Sequence, residues 1–342
     1  MIQRKQISFC TALLFIGALN IFSGCENSGI DRKVEAQAID LELIRLDKEI
    51  FKEENQESKH ERLRESYPTF YPMYFRDILQ LGSLDDSMAV VNLEKFNTDP
   101  EWTFAQSQID SVFRNNDELR NGFRSAFGRY KSVFPKRSTP DIYIMNSGFN
   151  YGIYPIPQLS VLGIGAEFYL GKENTMIKRL PNELFPAYMR EQMVPEQLLP
   201  NALKGWIILN HNDSENRKDL LGLIISYGKI MYALHLCIPD IPEHRHFAYT
   251  ASQLAWCQEN EEQIWKVLVE QDILFSNDKD VLMDWVGRGP FTQGFSEESP
   301  AELAYFMGKQ MVQDFMKENP EVSVEQLMEV PAETILRDYT PG

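Results

Sequence analysis

Leu220-Leu221-Gly222-Leu223-Ile224-Ile225-Ser226-Tyr227-Gly228-Lys229-Ile230-Met231-Tyr232-Ala233-Leu234-His235-Leu236 is the stretch that decides the fold. Apolar residues fall on nearly every face of a 3.6-residue period, and a helix that is apolar all round is a buried one. Such a helix has to be covered by others. Residues 42–53 place Ile44, Leu46, Ile50 and Phe51 among charges and read as a helix. Residues 102–133 carry Phe104, Ile109, Phe113, Leu119, Phe123 and Phe127, which reads as two amphipathic helices broken near Asn115 and Asn116. Residues 251–274 give two more helical stretches. Ser299-Pro300-Ala301-Glu302 reads as a helix start, with Ser299 as cap, Pro300 in the first position and Glu302 closing a capping box. Leu303, Met307, Met311 and Phe315 then recur every four residues along one face, and Pro320 follows the end.

Strands are few. Residues 141–145 alternate Ile142 and Ile144 with Tyr143 and Met145. Residues 158–170 run through Val161, Leu162, Ile164 and Phe168, with Gly163 and Gly165 inside. Asn146-Ser147-Gly148-Phe149-Asn150-Tyr151-Gly152 connects the two segments and is rich in turn residues. The expected class is α+β, predominantly helical, with a small β-sheet or hairpin. No low-complexity linker follows residue 40, so residues 41–342 are expected to form one domain.

The 342-residue chain has 34 Lys and Arg against 50 Asp and Glu, a net charge of −16. So acidic a surface repels phosphate, and nucleic acid is not an expected partner. Four cysteines in this length exclude a disulfide-dense scaffold.

Arg4 and Lys5 precede an apolar run over residues 7–22, the order of a secretory signal. The run is short for a membrane span of about 20 residues. It ends in Phe22-Ser23-Gly24-Cys25, small residues before a cysteine, as a lipoprotein signal peptidase requires. Residues 1–24 are therefore read as a lipoprotein signal peptide and Cys25 as the site of lipid attachment. The alternative is an ordinary signal peptide or anchor that contains a cysteine. Each buried methylene contributes about 0.8 kcal/mol, so two or three acyl chains hold a protein on a membrane. Losing residues 1–24 removes two basic residues and leaves a charge of −18. An acidic domain faces away from anionic lipid. Residues 25–40 are read as a flexible tether, and the expected place is the cell envelope, facing the periplasm.

The usual chemical signatures are missing. The five histidines are His60, His211, His235, His244 and His246, and no His-Glu-x-x-His pairs two of them on a helix. The histidines after Pro239 and Pro242 read as solvated loop residues. No Gly-x-Ser-x-Gly marks a nucleophile elbow, and nothing around Ser147 orients a base. Gly163-Ile164-Gly165 lacks the third glycine of a dinucleotide fingerprint. No metal or cofactor is expected. Cys237 and Cys257 could pair in an oxidising compartment or remain buried thiols.

Two charges are out of place. Lys229 sits in the apolar helix, and Glu167 sits in an apolar strand segment. A buried ammonium needs a carboxylate or carbonyl partner, or must reach water. The functional reading is a polar cleft that holds both. The structural reading is an ion pair, or two exposed ends.

The chain resembles the gliding-motility lipoprotein B family, GldB, over about residues 40–340. The likeness rests on Ile44-Arg45-Leu46-Asp47-Lys48-Glu49-Ile50-Phe51, Tyr67-Pro68-Thr69-Phe70-Tyr71-Pro72, Phe134-Pro135 and the segment from Asn146 to Ile153. It continues through residues 162–171, Gly228-Lys229-Ile230-Met231-Tyr232, residues 249–257 and the Ser299-Pro300 helix. The resemblance implies a lipoprotein needed for gliding over surfaces, within machinery linked to type IX secretion. It implies protein partners there and attaches no enzymatic reaction. The family tends to carry Glu before the Gly-Lys pair, where this chain has Tyr227, and favours Asp where Glu167 stands. Asn146, Asn150, Glu167, Tyr227 and Lys229 are the candidates for the polar cleft. The family is also distantly similar to zincin-like metallopeptidases. Without the zinc ligands, that likeness implies at most a degenerate, inactive scaffold that binds peptide or glycan in its old cleft.

Overall fold

A computed structural model describes residues 32–211 and 217–342, so the signal segment and Cys25 lie outside the described residues. Its strands are β1 (Leu43–Arg45), β2 (Asp141–Met145), β3 (Ile153–Ile156) and β4 (Val161–Gly165). The longer helices before β2 are α1 (Leu46–Phe51), α2 (Gln56–Ser66), α3 (Ala89–Thr98), α4 (Pro100–Val112) and α5 (Asn116–Val133). After β4 come α6 (Leu198–Asn210), α7 (Leu220–Cys237), α8 (Ala251–Glu259), α9 (Glu261–Glu270), α10 (Lys279–Val286) and α11 (Leu303–Glu318). Short helical turns join them. The fold is α+β and predominantly helical, as the hydrophobic periods predict.

The apolar stretch is α7. Asp219 caps it by accepting from the Gly222 N–H at 2.8 Å. With a mean hydropathy of 1.5 it is apolar enough to cross a bilayer, yet 89% of it is buried inside the protein. Its main neighbour is α11, and α5 and α6 also pack on it. Leu303, Met307, Met311 and Phe315 of α11 are all buried, as their spacing predicts. The two helices touch backbone to backbone where Gly228 meets Gly308. A Cβ on either glycine would fall on main-chain atoms of the facing helix. The start of α11 differs from its sequence reading. Ser299 donates to the Ser296 carbonyl, and both the N–H and the hydroxyl of Thr292 donate to the Pro300 carbonyl. Those bonds close residues 292–300 into a loop, and the helix begins at Leu303, after Glu302 in a left-handed conformation with φ of 61°.

The sheet has the order β1-β2-β4-β3. β1 and β4 flank β2 in parallel, and β3 pairs with β4 antiparallel. β2 and β4 are buried on both faces, which is why they read as near-continuous apolar runs. Two sequence readings need correction. Residues 43–45 form a strand rather than the first turn of a helix, because they pair with Ile142, Tyr143 and Ile144. The second strand stops at Gly165, and Ala166–Tyr169 turns into a 3-10 helix. A Cβ at Gly163 would come within 2.7 Å of the Phe70 ring, so this glycine serves close packing.

The described part of the segment read as a tether lies along α5. Gln37 N–H donates to Gly128 O at 3.2 Å, and Ser132 Oγ donates to Glu35 O at 2.7 Å. Arg32 donates to the carbonyls of Val322 and Pro320. Cys237 and Cys257 are buried free thiols, and burial pushes both pKa values up.

Candidate functional site

Met145 and Gly165 are register partners at the ends of parallel strands β2 and β4. Residues two positions further on therefore emerge at the same end of the sheet, and these are Ser147 and Glu167. Glu167 is fully buried. Its Oε1 accepts from Ser147 N–H at 2.8 Å, from Phe149 N–H at 3.1 Å and from the Ser147 hydroxyl. Ser147 Oγ in turn accepts from Tyr151 N–H at 3.1 Å. Asn150 Nδ2 donates to the carbonyls of Ile78 and Ser147, both at 3.0 Å. Asn146 Nδ2 donates to Trp102 O, and Tyr74 donates to Asn146 O at 2.6 Å. The turn carries two consecutive left-handed residues, Gly148 at φ 65° and Phe149 at φ 58°. A non-glycine residue in that region is strained, and the carboxylate bonds hold it there.

The structure thus brings together Asn146, Asn150 and Glu167 from the expected cleft, around Ser147. The arrangement clamps a turn. The Ser147 hydroxyl is fully buried, is engaged by Glu167 and Tyr151, and makes no hydrogen bond to a histidine among the described residues.

Burial raises the Glu167 pKa to about 7 from 4.5, against the pull of its hydrogen bonds. The folded chain therefore holds a proton that the unfolded chain has released between those pH values. Stability from this group falls as pH rises from about 5 to 8, by about 2 kcal/mol. Glu167→Gln should flatten that dependence in chemical denaturation at pH 5 and pH 8. Equal losses in wild type and variant would contradict the assignment.

Lys229 and Tyr227 turn elsewhere. Lys229 is buried, and its Nζ donates to Val330 O at 2.7 Å and Met328 O at 3.1 Å, in the C-terminal segment. Tyr227 stacks on Tyr305 of α11, with ring centroids 4.3 Å apart. Arg217 lies 5.1 Å from the outer face of Tyr227, and Lys204 Nζ lies 5.5 Å from the Tyr305 ring. Two rings are held between two cations.

Lys204 and Tyr305 of that column line a cavity of about 520 Å³. α6 contributes Asn201, Lys204 and Ile208, α11 contributes Tyr305, and Phe168, Phe185 and Tyr249 add aromatic surface. Arg288 and Glu302 stand at its charged end. Burial lowers the Lys204 pKa, Glu302 opposes that shift and Arg288 adds to it. Asn150 lines this cavity and also a smaller one of about 280 Å³ beside Trp102 and Lys95. Sequence reasoning missed Lys204. Its signal was the one that exposed Lys229, a lone charge in an apolar helix.

The histidine reading also needs correction. His246 is buried in the short helix Glu243–Phe247, with its ring 5.4 Å from that of His235. Desolvation lowers the two pKa values to about 3 and about 4, so both rings are neutral at pH 7. Among the described residues no three His, Cys, Asp or Glu side chains cluster as metal ligands.

The profile of the family described as Gliding motility protein GldB matches residues 27–341, nearly the whole chain. No curated protein and no solved structure matches the chain.

Proposed function

The chain belongs to the GldB family of gliding motility proteins, and from that premise we propose that it is a lipid-anchored, non-enzymatic component of the gliding apparatus. The single observation that carries this reading is the extent of the family match, residues 27–341. The order of charge, apolar run and Ser23-Gly24-Cys25 supports an anchor at Cys25. The net charge of −16 supports a domain that projects from the membrane rather than lying on it. Facing the periplasm, it would work by holding protein partners, and the family resemblance links that work to type IX secretion. The committed hydroxyl of Ser147 supports a binding role over a hydrolytic one. A second reading, a degenerate peptidase-like domain that binds peptide or glycan, draws on the aromatic-walled cavity.

Metabolic labelling with a tagged fatty acid tests the anchor. Wild type should incorporate the label and Cys25→Ala should not. Equal labelling of the two would sink the lipid assignment.

A further inference from the structure

The cavity beside α6 has unmet bonding capacity of two kinds. Lys204 makes no hydrogen bond or ion pair with the described residues, and its ammonium lies 5.5 Å from the centre of the Tyr305 ring. Arg288, also on the lining, is likewise without an ion pair among the described residues. Glu302 offsets one of these two cations, so the lining carries one net positive charge. That local sign stands against a chain of −16, so it is a property of the site and not of the surface at large. Opposite in kind, Gln192 Oε1 is a buried acceptor with no partner among the described residues. A buried acceptor left unpaired costs about 1–3 kcal/mol. Around these polar atoms stand Phe168, Phe185, Tyr188 and Met189.

One positive charge calls for one negative charge, which favours a carboxylate over a doubly charged phosphate. The orphan acceptor calls for an N–H or O–H donor. The aromatic and thioether wall calls for an apolar body. A cavity of about 520 Å³ falls within the range of about 300–1,000 Å³ typical of ligand sites. The last residue of a peptide chain supplies all three features together: a carboxylate, an adjacent amide N–H and a side chain.

We propose that this cavity binds the C-terminal end of a peptide whose last side chain is apolar, with the carboxylate at Lys204 and Arg288 and the amide N–H at Gln192. Tyr227 is then a positioning residue. It backs the Tyr305 ring against which Lys204 lies. The inference deepens the proposed role by naming a class of partner, and it does not depend on the lipid anchor.

Titration calorimetry on the full chain in detergent tests it, with N-acetyl-Leu-Phe as the free acid and as the C-terminal amide. The acid should bind at least tenfold more tightly than the amide. Lys204→Met should remove that preference and leave the amide unchanged, with its unfolding midpoint near that of wild type. Equal binding of acid and amide, or no binding of either at millimolar concentration, overturns the proposal. So does 3-phenylpropanoate binding as well as the peptide acid, which would make the site one for small apolar acids. A neutral oligosaccharide that displaces the peptide would also overturn it. None of these failures bears on fatty-acid labelling of Cys25, so the two readings fail separately.

Discussion

Gly308→Ala should destabilise the chain by about 3 kcal/mol or more, although alanine favours a helix interior by about 1 kcal/mol over glycine. The reason is the crossing of α7 and α11. A Cβ on Gly308 would fall on the Ile224 carbonyl and lie 2.8 Å from Gly228 N. These neighbours are main-chain atoms within helices, so no side-chain rotation relieves the contact. The helices would have to move apart, and the buried faces along both would lose their fit. Gly228→Ala should act alike, since its Cβ would fall on the Gly308 backbone. Gly122→Ala on α5 is the control. Its Cβ would meet only Leu199 at 3.6 Å, an ordinary contact, so that variant should be neutral or slightly more stable. Chemical denaturation of the three variants decides the matter. A Gly308→Ala chain as stable as Gly122→Ala would mean that the two helices do not meet backbone to backbone.

The second large effect concerns Arg45 and Asp47, at the junction of β1 and α1. Asp47 is fully buried and Arg45 nearly so. Arg45 Nε donates to Asp47 Oδ1 at 2.8 Å, and Nη2 donates to Oδ2 at 2.6 Å. Gln106 of α4 also donates to Oδ2, at 2.9 Å. Arg45 Nη1 reaches Phe113 O and Asn116 Oδ1, at the break between α4 and α5. The pair therefore joins β1 and α1 to the helices beside them. Arg45 has a second carboxylate in Asp110, at 3.2 Å, whereas Asp47 has Arg45 as its cation. Removing Arg45 therefore strands the Asp47 charge in the interior, and Arg45→Met should cost about 3–5 kcal/mol. Replacing both with apolar residues of similar volume removes the stranded charge. The double variant Arg45→Met with Asp47→Leu should therefore recover a substantial part of that loss. Additive losses in the double variant would show that the two side chains do not act as a pair.

Much of the architecture was legible because it follows from periodicity. A stretch apolar on every face has to be enclosed, and α7 is enclosed. The four-residue spacing of Leu303, Met307, Met311 and Phe315 gave the buried face of α11. The alternation at 141–145 gave β2 with its bounds. Pairing across distance was not legible. β1 is three residues long and precedes a helix directly, so its apolar spacing suited either state, and its strand character comes from β2 alone. Ser299 looked like a cap, but the carbonyl bonds of Thr292 are a tertiary fact.

The site shows the same division. Lys229 and Glu167 were conspicuous as charges in apolar segments, and both are buried. What each one touches depended on the topology. The parallel register of β2 and β4 delivers Glu167 to Ser147, while α7 turns Lys229 to the carbonyls near the C-terminus. Tyr227 was visible only as a departure from what the resemblance implies, and it stands between Arg217 and Tyr305.

The central claim is that a folded, lipid-held domain serves gliding. The most direct measurement is the surface movement of cells whose only copy of this chain is Cys25→Ala, with its abundance matched to wild type. The anchor proposal predicts cells that hold the folded domain, carry no fatty-acid label on it and fail to spread on a surface. Cells that glide at the wild-type rate with an unlabelled chain would contradict it.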